Sequence, residues 1–431
     1  MSPQLQLLPP VPPPIGLYIR PGWSDHVVLQ QLIVEGKGPT GIVFDARFGV
    51  RHRDLWDGTI DAGLDAVLDP GVQELWSPAG RFLNGLASVS WTWIADQGEP
   101  ALRGDAGRRL AESLADHALA AGFTSILSPT HYLQDPEDRI LEVDVLLTRN
   151  LREALDARGA TSVRVYYPLA MQATALGTPT ARAIVLDRLR GLDVDAVWLR
   201  LHPFGTSASG PRSLRRYIDV CSDLATLGVP IVAERTGTVG LALLSFNLVG
   251  GIECGVTVGE AFDATRLLRR DPESTTPFSN PGMVYLPALD TFVTRRDART
   301  LLGRRATKAA VGCRDGDCCR RGPDDMLRDA RRHGVTQRVR EVVDIGKTPP
   351  HRRPERYLAR VTIAGNLAAR LATAHPVLEP ARKRLDSWRG TLSALPADTV
   401  RQDAPPAAVG RRLAGKSAAP HLRSIPAQRA K

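Results

Sequence analysis

The stretch DAVWLRLHPFGTSASGPRSLRRYIDVCSDLATLGVPIVAE, residues 195–234, shows the unit from which most of the chain is built. It opens on an apolar run, Asp195 to Leu201, and passes through a polar loop into Ser213 to Leu227, where apolar residues recur at three- and four-residue spacing. That spacing predicts an amphipathic helix. Gly228 follows, where a left-handed helix end favours glycine, and a second apolar run, Pro230 to Glu234, closes the unit. Strand, helix and strand in this order are the signature of a parallel sheet.

Reading outward in both directions gives six more runs of the same kind: Gly16 to Arg20, Gly41 to Asp45, Asp65 to Asp69, Phe123 to Leu127, Ser162 to Tyr167 and Gly251 to Val258. Helical segments between them include Gly107 to Ala121, Arg149 to Arg158 and Ala181 to Leu192, and glycine precedes the next strand in AGF and RGA as it does in LGV. Eight strands fit a closed (β/α)8 barrel, α/β in class. An open doubly wound sheet is the rival, but no glycine-rich phosphate loop follows the first strand. The irregular connection is Pro70 to Arg103, which carries Trp76, Trp91 and Trp93 and is expected to cover one end of the barrel.

The organisation expected is a Pro-rich arm over residues 1–15, a barrel over 16–262 with an inserted loop at 70–103, a small helical, basic and zinc-binding extension over 263–395, and a disordered basic tail over 396–431. In the extension, helices are expected over Pro323 to Val343 and Arg356 to Leu392. The N-terminal MSPQLQLLPPVPPPIG breaks with proline where a signal peptide needs a continuous apolar region, so a cytoplasmic protein is expected. The longest apolar stretch, Val239 to Val258, contains Asn247 and Glu253 and reads as a buried helix and strand rather than a membrane span.

A hydrophobic content of 43% and a charged content of 24% exclude disorder throughout. The net charge of +10 favours an anionic partner, nucleic acid or a phosphorylated ligand, against the plainer reading of a solvated basic surface. Arginine supplies most of that charge, and much of it lies beyond Asp290.

In such a barrel the strand C-termini converge on the active site. The charged groups at those ends are therefore the candidates. Asp45, Glu234, His131 and His202 are the expected acids, bases or nucleophile, since carboxylates and imidazoles in a shared mouth shift one another's pKa values. Arg20, Arg47, Arg200 and Tyr132 are the expected substrate-binding groups, with the arginines able to grip phosphate or carboxylate. Salt bridging among these same residues is the structural alternative. No serine nucleophile elbow, Walker loop or HExxH motif occurs.

Cys313, Cys318 and Cys319 crowd one segment, and His333 follows on an expected helix. Three thiolates and an imidazole make a complete tetrahedral zinc shell, which is structural rather than catalytic because no ligand position stays open. Reduced thiols or a redox pair are the alternatives. Cys254 lies inside an apolar run and reads as core.

A barrel followed by a Cys3His site resembles the tRNA-guanine transglycosylase family. The segment GTVGLALLSFNLVGGIECGV, Gly237 to Val256, is similar to that family's helix and strand ahead of its nucleophilic aspartate. The resemblance implies a nucleobase- or nucleic-acid-modifying barrel enzyme with a structural zinc. The chain departs from the pattern in three places: its cysteine spacing is rearranged around CC, Gly255, Val256 and Thr257 stand where the nucleophile is expected, and FDARFG around Asp45 replaces the DSGGFQ-like motif. A small-molecule lyase or hydrolase, or a nucleic-acid-binding barrel without catalysis, are the competing readings.

Overall fold

Each of the eight apolar runs pairs with its neighbours in the computed structural model, which describes residues 16–77, 89–206, 210–257, 260–268 and 282–395. The Pro-rich arm, the basic tail, residues 78–88 of the inserted loop and most of the loop after residue 268 lie outside the described residues. The barrel strands are β1 (Gly16–Ile19), β2 (Gly41–Asp45), β3 (Asp65–Asp69), β4 (Ser125–Leu127), β5 (Arg164–Gln172), β6 (Ala196–His202), β7 (Ile231–Glu234) and β8 (Gly251–Cys254). All pair in parallel in the order β4-β3-β2-β1-β8-β7-β6-β5, and β4 pairs with β5 to close the ring. The open-sheet alternative is thereby excluded.

Two strand ends differ from the sequence reading. β5 continues past Tyr167 to Gln172, so Tyr167 faces the surrounding helices as a buried core residue and the mouth is reached five residues later. β8 stops at Cys254, and Val256 and Thr257 fall in the loop beyond it.

The helices alternate with the strands as the periodicity requires: α1 (His26–Val34), α2 (Arg53–Asp61), α3 (Asp105–Ala121), α4 (Ile140–Ala157), α5 (Pro179–Leu189), α6 (Pro211–Leu224) and α7 (Val239–Ser245). Gly122, Gly159 and Gly228, which end the helical segments at AGF, RGA and LGV, all take positive φ.

The barrel interior is layered because residues two apart along a strand share a face. Asp65 lies in the lowest layer, accepting hydrogen bonds from Ser125 (2.6 Å), Thr124 (2.6 Å) and the Tyr166 hydroxyl (2.8 Å). Above it is an apolar layer that includes Tyr18, Val43, Val67, Leu127, Trp198 and Val232. The next inward positions are Arg20, Asp45, Asp69, Arg200, Glu234 and Glu253. Charge at the mouth thus sits on an apolar floor.

The strand β8 is not followed directly by its helix. Among the described residues a hairpin, β9 (Met283–Leu286) with β10 (Thr291–Thr294), and four short helices come first. The next long helix, α8 (Ala330–Lys347), packs against α1, α7 and β1 and so fills the eighth position of the helical ring. Arg332 of α8 clasps Glu35 at the end of α1 through two bonds of 2.9 and 2.6 Å. The expected second C-terminal helix is two, α9 (Arg353–Ala372) and α10 (Glu379–Ser393), because Pro376 cannot continue a helix. In the inserted loop Trp91 is fully buried and donates to the Pro70 carbonyl at 3.0 Å, which makes it core. Among the described residues no helix is long and apolar enough to cross a membrane.

Asp65→Ala strips three hydroxyls in the barrel floor of their acceptor. It should lower stability by about 2–4 kcal/mol, read as a shift in the urea unfolding midpoint.

Candidate active site at the barrel mouth and candidate metal centre

Arg20 enters the mouth from the end of β1, and each of its three guanidinium nitrogens faces a carboxylate from a different strand. Nη1 lies 2.6 Å from Asp69 on β3, Nη2 lies 3.1 Å from Glu234 on β7, and Nε lies 3.2 Å from Glu253 on β8. Arg200 of β6 adds a second cation, 2.6 Å from Glu234 and 3.5 Å from Asp69, and donates to the Gln73 side-chain Oε1 at 2.6 Å. Arg47 folds back onto Asp45, with Nε at 2.9 and 3.0 Å from its two oxygens, and stands 3.6 Å from Glu74. Burial opposes the charge of Arg20, but Asp69, Glu234 and Glu253 outweigh it and raise its pKa.

The carboxyl groups of the mouth are not equivalent. Burial works against the ionised form of Asp69, yet Arg20, Arg200 and the Gly71 N–H hold its pKa below the ordinary range. Glu74, enclosed beside Asp45 and Asp69, has its pKa raised by burial despite Arg47. Glu253 is raised as well, burial outweighing Arg20. Accessibility separates them further: the side chains of Asp69 and Glu74 are 15% and 19% exposed, whereas those of Glu234 and Glu253 are fully covered. One oxygen of Glu234 and one of Glu253 have no hydrogen-bond partner. Arg235, immediately after Glu234, holds φ at 50°, a left-handed conformation that costs a non-glycine residue about 1–2 kcal/mol.

Two imidazoles rim the mouth. Asp144 lies 2.6 Å from His131 Nδ1 and also accepts the His131 backbone N–H at 3.0 Å, so this buried carboxyl holds the ring in place. Trp76 lies flat on this ring, with centroids 3.7 Å apart and planes 5° apart. His202 Nδ1 lies 3.0 Å from the Ala264 N–H and 3.2 Å from the Phe262 carbonyl oxygen. Tyr132 donates to Gln172 at 2.7 Å, and its ring centroid is 6.3 Å from that of His202.

The structure therefore brings Arg20, Asp45, Arg47, His131, Tyr132, Arg200, His202 and Glu234 to one end of the barrel. Gln73, Glu74, Asp144 and Glu253 join them without having been singled out from sequence, and Asp69, a strand-end residue ahead of Pro70 that the sequence reading listed among the candidates without a role, joins them too. A signal for Glu253 was present: it is the one acid in an apolar strand. In β2 and β3 the charged end residue follows an inward apolar residue at two-residue spacing, Val43 to Asp45 and Val67 to Asp69.

A separate buried cluster joins Cys313, Cys318, Cys319 and His333, whose ligand atoms all lie within 4.8 Å of one another. Cys318 Sγ and Cys319 Sγ are 3.7 Å apart, and each lies 3.3–3.4 Å from His333 Nδ1. A tetrahedral ion with bonds of about 2.3 Å to sulfur and about 2.0 Å to nitrogen holds such pairs about 3.8 and 3.5 Å apart. The adjacent cysteines both reach the same point, and all five cysteines of the chain are free thiols. His333 Nε2 donates to the Tyr285 carbonyl at 3.0 Å, leaving the Nδ1 lone pair for a metal. The residues fit a metal ion, and His333, borne on α8, would tie the segment inserted after β8 to the barrel.

No family model matches the chain, and no curated protein matches it. Among solved structures it is similar to a point mutant of xylanase A from P. fluorescens subsp. cellulosa in complex with xylopentaose, at 15% identity over 57% of this chain and 87% of that one, with a TM-score of 0.36. An endo-beta-1,4-mannanase double mutant from Cellulomonas fimi matches at 12% identity over 56% and 65%, with a TM-score of 0.35. An enolase protein from Sargasso Sea environmental sequencing matches at 13% identity over 56% and 54%, with a TM-score of 0.27.

Arg20→Met leaves three carboxylates in the mouth without their shared cation, a change expected to destabilise by about 3–5 kcal/mol at neutral pH. In the native protein the lowered pKa of Asp69 gives stability that is full above the ordinary carboxylate pKa of about 4 and is lost as pH falls below it. In the variant the same carboxyls are forced upward, so its deficit should shrink as pH drops from 7 to 5. Thermal unfolding of both proteins across that range checks the sign.

Proposed function

We propose that the chain is a zinc-stapled barrel enzyme that exchanges a nucleobase on a nucleic acid, as its resemblance to the tRNA-guanine transglycosylases implies. The observation that carries the reading is the pair of accessible carboxyl groups with opposite pKa shifts, Asp69 held ionised and Glu74 held toward its acid form. Neighbouring acids pushed apart in this way divide into a nucleophile and a proton carrier.

Asp69 stands where an ionised carboxylate can add to the anomeric carbon as the bond from that carbon to the base breaks. The departing base takes the electron pair and a proton from Glu74. An incoming base then displaces Asp69 and returns its proton to Glu74. Asp45 sets Arg47 against Glu74, Glu234 anchors Arg20 and Arg200, and His131 and His202 at the rim offer ring nitrogens to the edge of a base. This assignment replaces the family's aspartate after β8, which the chain lacks, with one at the end of β3. Zinc in the Cys3His cluster holds the inserted segment and takes no part in the reaction.

A second reading, a hydrolase acting on a small sugar, is favoured by the in-register pairing of Asp45 with Asp69 on adjacent strands. Carboxyl groups about 5–10 Å apart are what glycoside hydrolysis needs.

The purified chain should hold one zinc per molecule, lost together with thermal stability in Cys319→Ser. With zinc bound it should incorporate labelled guanine into RNA or DNA, and Asp69→Asn or Glu74→Gln should each slow this by about 100-fold or more with the fold retained. Binding should weaken steeply as salt rises. Unchanged exchange in both variants removes the assignment, and hydrolysis of an aryl glycoside without base exchange favours the second reading.

A further inference from the structure

Trp23 stands on the loop between β1 and α1, three residues after Arg20, with 62% of its surface exposed. That loop follows a strand end, so it belongs to the mouth side of the barrel. An indole in water forgoes the gain of burial, and this one is held there by a firm frame. Asp25 accepts the Gly22 N–H at 2.8 Å within the loop. Arg331, on the first turn of α8, donates to the Ser24 carbonyl at 3.1 Å and lies 3.3 Å from Asp25. His333 of the metal cluster is two residues further along the same helix, so the segment tied by the metal also braces this loop.

The neighbouring loop, between β2 and α2, supplies the partners of the indole. The Arg51 guanidinium lies over the Trp23 ring, 4.1 Å from its centroid, and its Nε donates to the Trp23 carbonyl at 2.6 Å. Phe48 stands nearly perpendicular to the ring, with centroids 5.7 Å apart. Arg51 is exposed, and among the described residues it forms no ion pair with a carboxylate. From Phe48 the contacts run inward: Arg47 lies over the Phe48 ring, 5.5 Å from its centroid, and reaches to 3.6 Å from Glu74.

An exposed aromatic ring, a cation stacked on it without a counter-charge, and contacts leading from it to the mouth are the parts of a single-strand nucleotide site. A base of any identity can stack on the ring, and the cation takes the phosphate beside it. A neutral sugar also stacks on an indole, but it leaves the charge of Arg51 without a use.

We propose that Trp23 and Arg51 form a platform for a nucleotide flanking the one that enters the mouth, with Trp23 taking the base and Arg51 the phosphate of a single strand. The platform rests on the reading of the chain as a base-exchanging enzyme for its partner. It holds the strand without selecting its sequence.

The test is fluorescence anisotropy of a labelled single-stranded hexanucleotide titrated with the full zinc-loaded chain at fixed salt. Saturable binding is expected, weakened about tenfold or more in Trp23→Ala and largely kept in Trp23→Phe. Arg51→Ala should weaken binding and flatten its salt dependence. Trp23 is a surface residue, so the melting temperature of Trp23→Ala should stay close to that of the parent. An abasic strand of the same length removes the stacking partner, and the parent and Trp23→Ala should bind it alike. No binding in the parent, equal affinity of the parent and Trp23→Ala for the intact strand, or equal competition by neutral cellopentaose overturns the proposal. Binding lost in Trp23→Ala from a chain that exchanges no base keeps the platform and removes the exchange reading, whereas base exchange with strand affinity unchanged in Trp23→Ala does the reverse.

Discussion

The mouth of the barrel depends on one cation. Arg20 faces carboxylates on β3, β7 and β8; β8 pairs directly with β1 while β3 and β7 each lie one strand further round, so its β7 and β8 partners arrive only when the first and last strands of the barrel pair. Isolated in that setting, each carboxylate would carry a desolvation cost of several kcal/mol. Around a shared guanidinium they hold one another in place, and Arg200 repeats the device from β6. Closure of the sheet and assembly of the site are therefore one event.

The same arrangement gives the mouth its chemical asymmetry. Asp69 meets two guanidiniums and a backbone N–H and stays ionised, while Glu74 and Glu253 lie where burial outweighs their cations. Polarity at the mouth is thus set by the partners that each carboxyl meets. At the metal cluster the Tyr285 carbonyl does the same for His333.

Much of the fold was legible in local pattern. Apolar runs at β spacing, helices at 3.6-residue spacing and glycines at helix ends marked the barrel units, because these signals arise within a dozen residues. The length of β5 was not legible, since Pro168 reads as a break yet lies inside a nine-residue strand. At the site, strand ends exposed Asp45, Arg200 and Glu234, but the role of Glu253 was hidden in a run read for its average hydropathy. Its contact with Arg20 spans 233 positions, and no local pattern encodes it. The ligand set of the metal cluster was readable from residue types, whereas the lock on His333 comes from a hairpin 48 residues away.

The central claim is that Asp69 is the carboxylate that attacks. Denaturing the zinc-loaded chain in the midst of base exchange and mapping its peptides by mass spectrometry tests that claim most directly. A glycosyl adduct on the peptide that contains Asp69 is the predicted result. An adduct on Asp45, Glu234 or Glu253, or steady exchange with no adduct on any carboxylate, would contradict it.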